Sequence, residues 1–170
     1  VWVPSIKKQE AQVAGYTVVD PATVITTHIK ETIKRHAHEI MGRQETQALI
    51  DKFKETNPKV VEELIPNALS LGKVQRVLQN LLREQISIRD LRTIMEKLSD
   101  YASLTQDPDV LTEYVRQGLA RPITKQYQSN DGVLSVMTLD RGIEDAIEGS
   151  IQRSETGAFL ALEPNVAERF

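Results

Sequence analysis

The strongest pattern in the chain begins at Pro21. Ala22, Ile25, Ile29, Ile33, Ala37 and Ile40 recur at spacings of three and four, which predicts one long helix with a single apolar stripe. Asp20-Pro21 supplies an N-cap and a first-turn proline whose missing N–H costs nothing, and Gly42 is expected to break or bend the far end. Upstream, Val1-Trp2-Val3 and the β-branched Tyr16-Thr17-Val18-Val19 read as short strands. Between them, residues 6–14 suit a short helix that Gly15 closes in the left-handed conformation.

From Arg43 the spacing stays helical. Leu49, Ile50 and Phe53 give an inward face to a helix stopped by Asn57-Pro58, and Val60, Val61, Leu64 and Ile65 form a short turn ended by Pro66-Asn67. Ser70 caps a helix whose apolar face is Leu71, Val74, Leu78 and Leu81, widened by Val77 and Leu82. Ser87-Ile88-Arg89-Asp90 has the form of a capping box opening a helix with Ile88, Leu91, Ile94, Leu98 and Tyr101 on one side. Asp107-Pro108 repeats the cap-plus-proline device before Leu111, Tyr114, Val115 and Leu119. Each helix is amphipathic and too short to stand alone, so residues 42–120 are expected to form one all-helical unit.

After Pro122 the texture changes. Asn130-Asp131-Gly132 predicts a turn, residues 133–139 a strand, 140–152 a helix and 158–162 a second strand, with another helix opening at Pro164. The predicted fold class is α+β, mostly α: an all-helical centre flanked by parts of small α/β subdomains. With Val1 in place of a methionine and a helix opening six residues from the end, the chain reads as a fragment of something longer.

Composition narrows the chemistry. The hydrophobic share of 40% and net charge of −3 do not suit intrinsic disorder. With no cysteine there is no disulfide framework, thiol catalysis or Cys-ligated zinc, which suits a reducing, cytoplasmic-type compartment. No apolar stretch approaches the roughly 18 residues of a membrane span, and no signal-peptide pattern is present. Charge is spread evenly, with 5 basic and 4 acidic groups in residues 1–40, 11 and 12 in 41–120, and 5 and 8 in 121–170. A nucleic-acid binder concentrates positive charge, and no segment here does.

Motifs for catalysis are missing: there is no nucleophile elbow and no phosphate-binding glycine loop. His28, His36 and His38 share the first long helix. On a continuous helix, His36 and His38 stand about 200° apart and His28 lies roughly 12 Å along the axis from His36, so ordinary histidines are favoured over a metal site. Arg83, Arg89 and Arg92 at the junction of helices 70–85 and 88–101 resemble a helix-turn-helix in outline. Glu84, Asp90 and Glu96 interleave with them, which suits surface ion pairs better than a recognition helix. Last, Val19, Val24 and Thr27 meet where a predicted strand enters a helix; they fit a shallow groove, and an ordinary core explains the valines equally well.

Longer blocks carry a resemblance. Gly15-Tyr-Thr-Val-Val-Asp-Pro-Ala-Thr-Val-Ile-Thr-Thr-His28, Arg35-His-Ala-His-Glu-Ile-Met-Gly-Arg-Gln-Glu-Thr46, the run from Glu63-Leu-Ile-Pro-Asn67 to Ser87-Ile-Arg-Asp-Leu91, and Leu111-Thr-Glu-Tyr-Val-Arg-Gln117 resemble the flagellar type III export-gate family. The match is close over residues 1–121 and architectural beyond. Arg43-Gln44-Glu45 and Leu78-Gln-Asn-Leu-Leu82 favour the flagellar branch over the virulence-type secretion gate.

The resemblance implies a non-enzymatic protein of the inner membrane whose cytosolic halves form a nine-membered ring. The ring docks export chaperones with their substrates and helps order export, together with an export ATPase complex and other gate proteins. No cofactor, metal or nucleic acid is implied. Residues 1–41 would end a first cytosolic subdomain, 42–120 would be the helical subdomain, and 121–170 part of a further α/β subdomain. Carried over by position, Val19, Val24 and Thr27 match one wall of a chaperone-docking dimple, whose opposite wall lies upstream. Two departures are expected to loosen the joint near residue 120. Gly118 stands where the family usually has Ala, at about 1 kcal/mol of helix propensity, and Pro122 is expected to end the helix near Leu119–Ala120.

Overall fold

A computed structural model of the chain describes residues 2–154 and 157–162. The chain divides into two compact units, Val1–Gln126 and Tyr127–Phe170. Within the first, a 3₁₀ turn (Ser5–Lys7) leads into α1 (Lys8–Val13). Gly15, at φ +84°, ends it as expected: its N–H donates to Gln12 O, and the Tyr16 N–H to Ala11 O, both at 3.0 Å. The strands predicted at residues 1–3 and 16–19 are absent over the described residues of both segments. A strand is completed by a neighbour's N–H and C=O groups, and no described residue pairs with these segments.

The long helix predicted from Pro21 forms in two pieces, α2 (Pro21–Arg35) and α3 (Ala37–Ile40). The break falls at His36 (φ −104°, ψ 14°), well before Gly42. α3 packs on the helical unit while α2 packs on α3 and buries none of its own residues. Then follow α4 (Arg43–Lys54), α5 (Pro58–Glu63), a wide π-type turn (Leu64–Ala68), α6 (Leu71–Arg83), α7 (Leu91–Tyr101), α8 (Pro108–Gly118) and α9 (Ala120–Tyr127).

Local chemistry accounts for most of these ends. The Ser70 hydroxyl accepts from Lys73 N–H at 3.4 Å, and the Asp107 carboxylate from Asp109 N–H at 2.9 Å. The Ser87 capping box does not form. Asp90 caps α7 instead, accepting from the Thr93 N–H at 3.1 Å and the Thr93 hydroxyl at 2.8 Å. A carboxylate with two donors from one residue outcompetes a lone serine, whose hydroxyl only accepts from Arg89 N–H at 3.4 Å. Ile88 therefore precedes the helix, packed against the core. At the end of α6, Gln85 takes the left-handed conformation (φ 59°), so that Ile86 N–H reaches Leu81 O at 2.8 Å and the Ile86 side chain is buried.

The core lies among α4 to α8. Leu64, Val74, Leu78, Leu81, Ile94, Leu98, Leu111 and Val115 are fully buried, each leucine contributing roughly 1.5–3 kcal/mol relative to exposure. Two polar residues sit inside it. Asn80 on α6 donates to Asp109 Oδ1 at 2.8 Å and Thr112 Oγ1 at 3.2 Å on α8, and the Thr112 hydroxyl in turn donates to Pro108 O at 2.6 Å. Tyr101 and Tyr114 stack between α7 and α8, with ring centroids 3.9 Å apart. Gly118 permits the same two helices to close: a Cβ there would lie 2.9 Å from Lys97 Cγ and 3.3 Å from Thr93 Cγ2. Residues 116–126 are not one helix. Pro122 has no N–H to bond Gly118 O, Leu119 (φ −93°, ψ 13°) interrupts the ladder, and Pro122 then sits in the first turn of α9.

In the second unit the turn at 130–132 forms, with Gly132 at φ +83°. The strand predicted over 133–139 does not, since no described residue offers it a ladder. α10 (Arg141–Ser150) is capped by Asp140, which accepts from Gly142 N–H at 2.9 Å. It ends two residues before the expected boundary, and β1 (Ile151–Ser154) pairs antiparallel with β2 (Gly157–Leu160), Ile151 opposite Leu160. The helix expected at Pro164 lies outside the described residues. The fold is thus mostly α, with one two-stranded sheet among the described residues.

Candidate docking site

The sequence-predicted site residues fall at the start of α2, and the cap explains their arrangement. Asp20 accepts from Thr23 N–H at 2.9 Å and from the Thr23 hydroxyl at 2.6 Å. The Thr23 hydroxyl foremost, then its N–H, holds the Asp20 carboxyl below the usual carboxylate range. With Asp20 as N-cap, Val19 and Val24 occupy the two positions that a hydrophobic staple joins across a helix start. Thr27 follows Val24 by three residues and shares its face. Val19 is 54% and Val24 38% exposed, and Thr27 is exposed as well. The alternative of an ordinary core for these valines is therefore not realised within the described residues.

α2 has a second apolar face. At 100° per residue, Ala22, Ile25, Ile29 and Ile33 centre roughly opposite to Val24 and Thr27. All three isoleucines are more than half exposed. The Val24–Thr27 face runs on to an ion pair, Lys34 Nζ to Glu31 Oε1 at 3.4 Å, which gives an apolar patch a charged border. Sequence reading found the isoleucine stripe and the valine–threonine pair, but not their opposition.

At the break, His36 Nδ1 lies 2.8 Å from Glu39 Oε1, an i,i+3 pair, and His38 Nε2 lies 3.8 Å from the same oxygen. Hydrogen bonding by His36 first, then the charges of both imidazoles, lower the Glu39 carboxyl below its ordinary range. Among the described residues, no three His, Asp or Glu side chains converge to hold a metal ion. On the α6–α7 hairpin, Arg92 Nε pairs with Glu96 Oε1 at 2.9 Å, so part of its positive charge is already matched by acid. An open depression of about 500 Å³ beside Ser103 and Gln106 holds no nucleophile–base pair.

The profile of the FHIPEP family matches residues 1–170, the entire sequence. The chain belongs to that family. Among its members, the flagellar biosynthesis protein FlhA of Bacillus subtilis is 53% identical over 98% of this chain, and the FlhA of Escherichia coli 41% identical over 99%. The chain spans about a quarter of the length of these relatives (25% and 24%). A chain of the Chlamydia pneumoniae CdsV and CdsO protein complex superposes with a TM-score of 0.89 at 33% identity, over 99% of this chain and 49% of that one. Nonameric SctV-C of EPEC superposes at 0.83 and 33% identity, over 97% of this chain and 51% of that one. The family and fold of this chain are thereby established, and with them a relationship to flagellar and type III secretion proteins. Among the described residues, no helix is long and apolar enough to cross a membrane.

Proposed function

We propose that the chain is part of the cytosolic portion of a flagellar type III export gate, a non-enzymatic platform that docks chaperone–substrate complexes and helps order their export. The observation carrying this reading is the exposed Val24–Thr27 face of α2, in a chain 53% identical over nearly its full length to a flagellar FlhA. On this reading residues 1–41 close a first α/β subdomain, 42–120 form a helical subdomain, and 121–170 belong to a further one. The whole protein sits at the cytoplasmic face of the inner membrane, assembles as a nine-membered ring, and works with an export ATPase complex and other gate proteins. The nonameric SctV-C relative supports the ring.

The gate of a virulence-type secretion system is the second reading. It draws on structural relatives such as the nonameric EscV cytosolic domain from the type III secretion system, at 33% identity. The higher identity to FlhA sequences favours the flagellar one. A helical nucleic-acid-binding module is weaker still, given the acids interleaved on the hairpin. The test is calorimetric titration of a flagellar chaperone–subunit complex into this chain, extended upstream by the length its solved relatives carry. Thr27→Arg should abolish binding while leaving the helical circular dichroism intact. Binding unchanged by the substitution would remove Thr27 from the docking site. Binding of a duplex DNA probe that weakens steeply with salt would favour the nucleic-acid reading instead.

A further inference from the structure

Besides the packing of α3 on α6, a backbone carbonyl ties the α2–α3 arm to the helical unit. After α3, Met41 (φ −74°, ψ 78°) and Gly42 (φ −83°, ψ −175°) leave helical geometry before α4 begins. A carbonyl at a helix end has no partner within its own helix. The Gly42 oxygen is taken by α4 itself, through Thr46 N–H at 3.0 Å and the buried Thr46 hydroxyl at 2.8 Å. The Met41 oxygen is taken from elsewhere in the fold. Gln75 and Gln79, one turn apart on α6, both turn their amides to it, with Nε2 at 3.2 and 2.9 Å. Both lone pairs of that oxygen are used, and the Met41 side chain packs against the core beside them.

Since α2 buries none of its residues, its direction is transmitted through α3 and this linkage. Nine residues, roughly 13 Å of helix, separate Thr27 from the break at His36, so a 10° turn carried through α3 to that point swings it by about 2 Å. We propose that Gln75 and Gln79 are positioning residues, a two-pronged latch on the Met41 carbonyl that sets the orientation of α2 and hence the presentation of its Val24–Thr27 face. The latch itself stands on the geometry alone; its bearing on cargo rests on the docking reading above.

The test uses the absence of cysteine from the chain. Lys30→Cys on α2 and Gln117→Cys on α8 accept spin labels, and pulsed electron–electron resonance reads the distance distribution between them. Gln75→Met with Gln79→Met keeps length and bulk but removes both donors. Two lost hydrogen bonds should raise the ratio of displaced to latched arm about tenfold, seen as a broadened or second distance population. Gln79→Lys, placed beside Gln75→Met, returns a donor and should restore the narrow distribution, which a purely packing role would not do.

An unchanged distribution in the double-Met variant overturns the latch, as does broadening that the lysine fails to reverse. Should the double variant lose its helical signal, Gln79→Met alone is judged by the same criteria. Cargo titration separates the two ideas. Broadening with no effect of Thr27→Arg on binding sustains the latch and refutes the docking reading. An unchanged distribution with binding lost in Thr27→Arg does the reverse.

Discussion

Asn80 offers the sharpest test of how the helical unit is held together. It is only 8% exposed and bridges α6 to two side chains of α8. Replacement by alanine removes one hydrogen bond to a carboxylate and one to a hydroxyl. Bonds to charged groups contribute roughly 1.5–3 kcal/mol and neutral ones about 0.5–1.5 kcal/mol. Asp109 is exposed and can recover water, and the Thr112 hydroxyl keeps its bond to Pro108 O, so the lower ends of both ranges apply. Asn80→Ala is therefore expected to lose about 2–3 kcal/mol, including the small void. Asn80→Leu refills the volume and strands no buried donor, so about 1 kcal/mol or less is expected.

Asn80→Asp sets a carboxylate against that of Asp109 and should be the worst of the three at neutral pH. Like charge raises the carboxyl pKa in the folded state above its unfolded value, so the native protein binds the extra proton more readily. The variant's deficit should shrink as pH falls through that raised value, because one shared proton restores the hydrogen bond. Urea unfolding followed by circular dichroism, at pH 7 and again near pH 4.5, measures all of this. An alanine variant within about 0.5 kcal/mol of the parent, or a pH-independent deficit for Asn80→Asp, would refute the reasoning.

The other expectations concern helix ends. The Asp20 carboxyl is held below the usual range by Thr23, so its capping contribution is complete above the unfolded carboxyl value of about 3.9 and disappears as pH falls through the lower folded value. The Thr23 amide resonance should titrate with a midpoint below that of a free aspartate, and Asp20→Asn should abolish the transition; a midpoint at or above the free value would contradict the cap geometry. At the end of α6, Gln85 bears a left-handed backbone that glycine adopts freely. Gln85→Gly should raise stability by roughly 0.5–1 kcal/mol in urea unfolding, since the bond from Gln126 Nε2 goes to the backbone oxygen and survives; a loss of stability would disprove the argument.

What could be read from the sequence follows the range of the forces involved. Ser70, Asp107-Pro108 and Gly15 were legible because a cap or a left-handed turn is settled within four residues. The Ser87 box was misread by three positions because two capping groups competed, and only the geometry shows Thr93 giving Asp90 both its N–H and its hydroxyl. The strands at 16–19 and 133–139 failed for the opposite reason: residue types that favour extended backbone mark a segment fit for a sheet, but the sheet requires a partner that the segment does not encode. The site was half legible. Spacing placed Val24 and Thr27 together, whereas the break at His36 and the grip of Gln75 and Gln79 on Met41 depend on where α6 lies, and no local pattern announces that.

The opposition of the two faces of α2 also bears on how such a protein can change through descent. Positions 24 and 27 lie on the face opposite the isoleucine row at 25, 29 and 33, so mutation can act on one side of the helix while the other stays as it is. On the docking reading, a lineage can retune which cargo it admits by drift at two positions, at constant fold. Innovation and inheritance would then run along opposite sides of a single fifteen-residue rod.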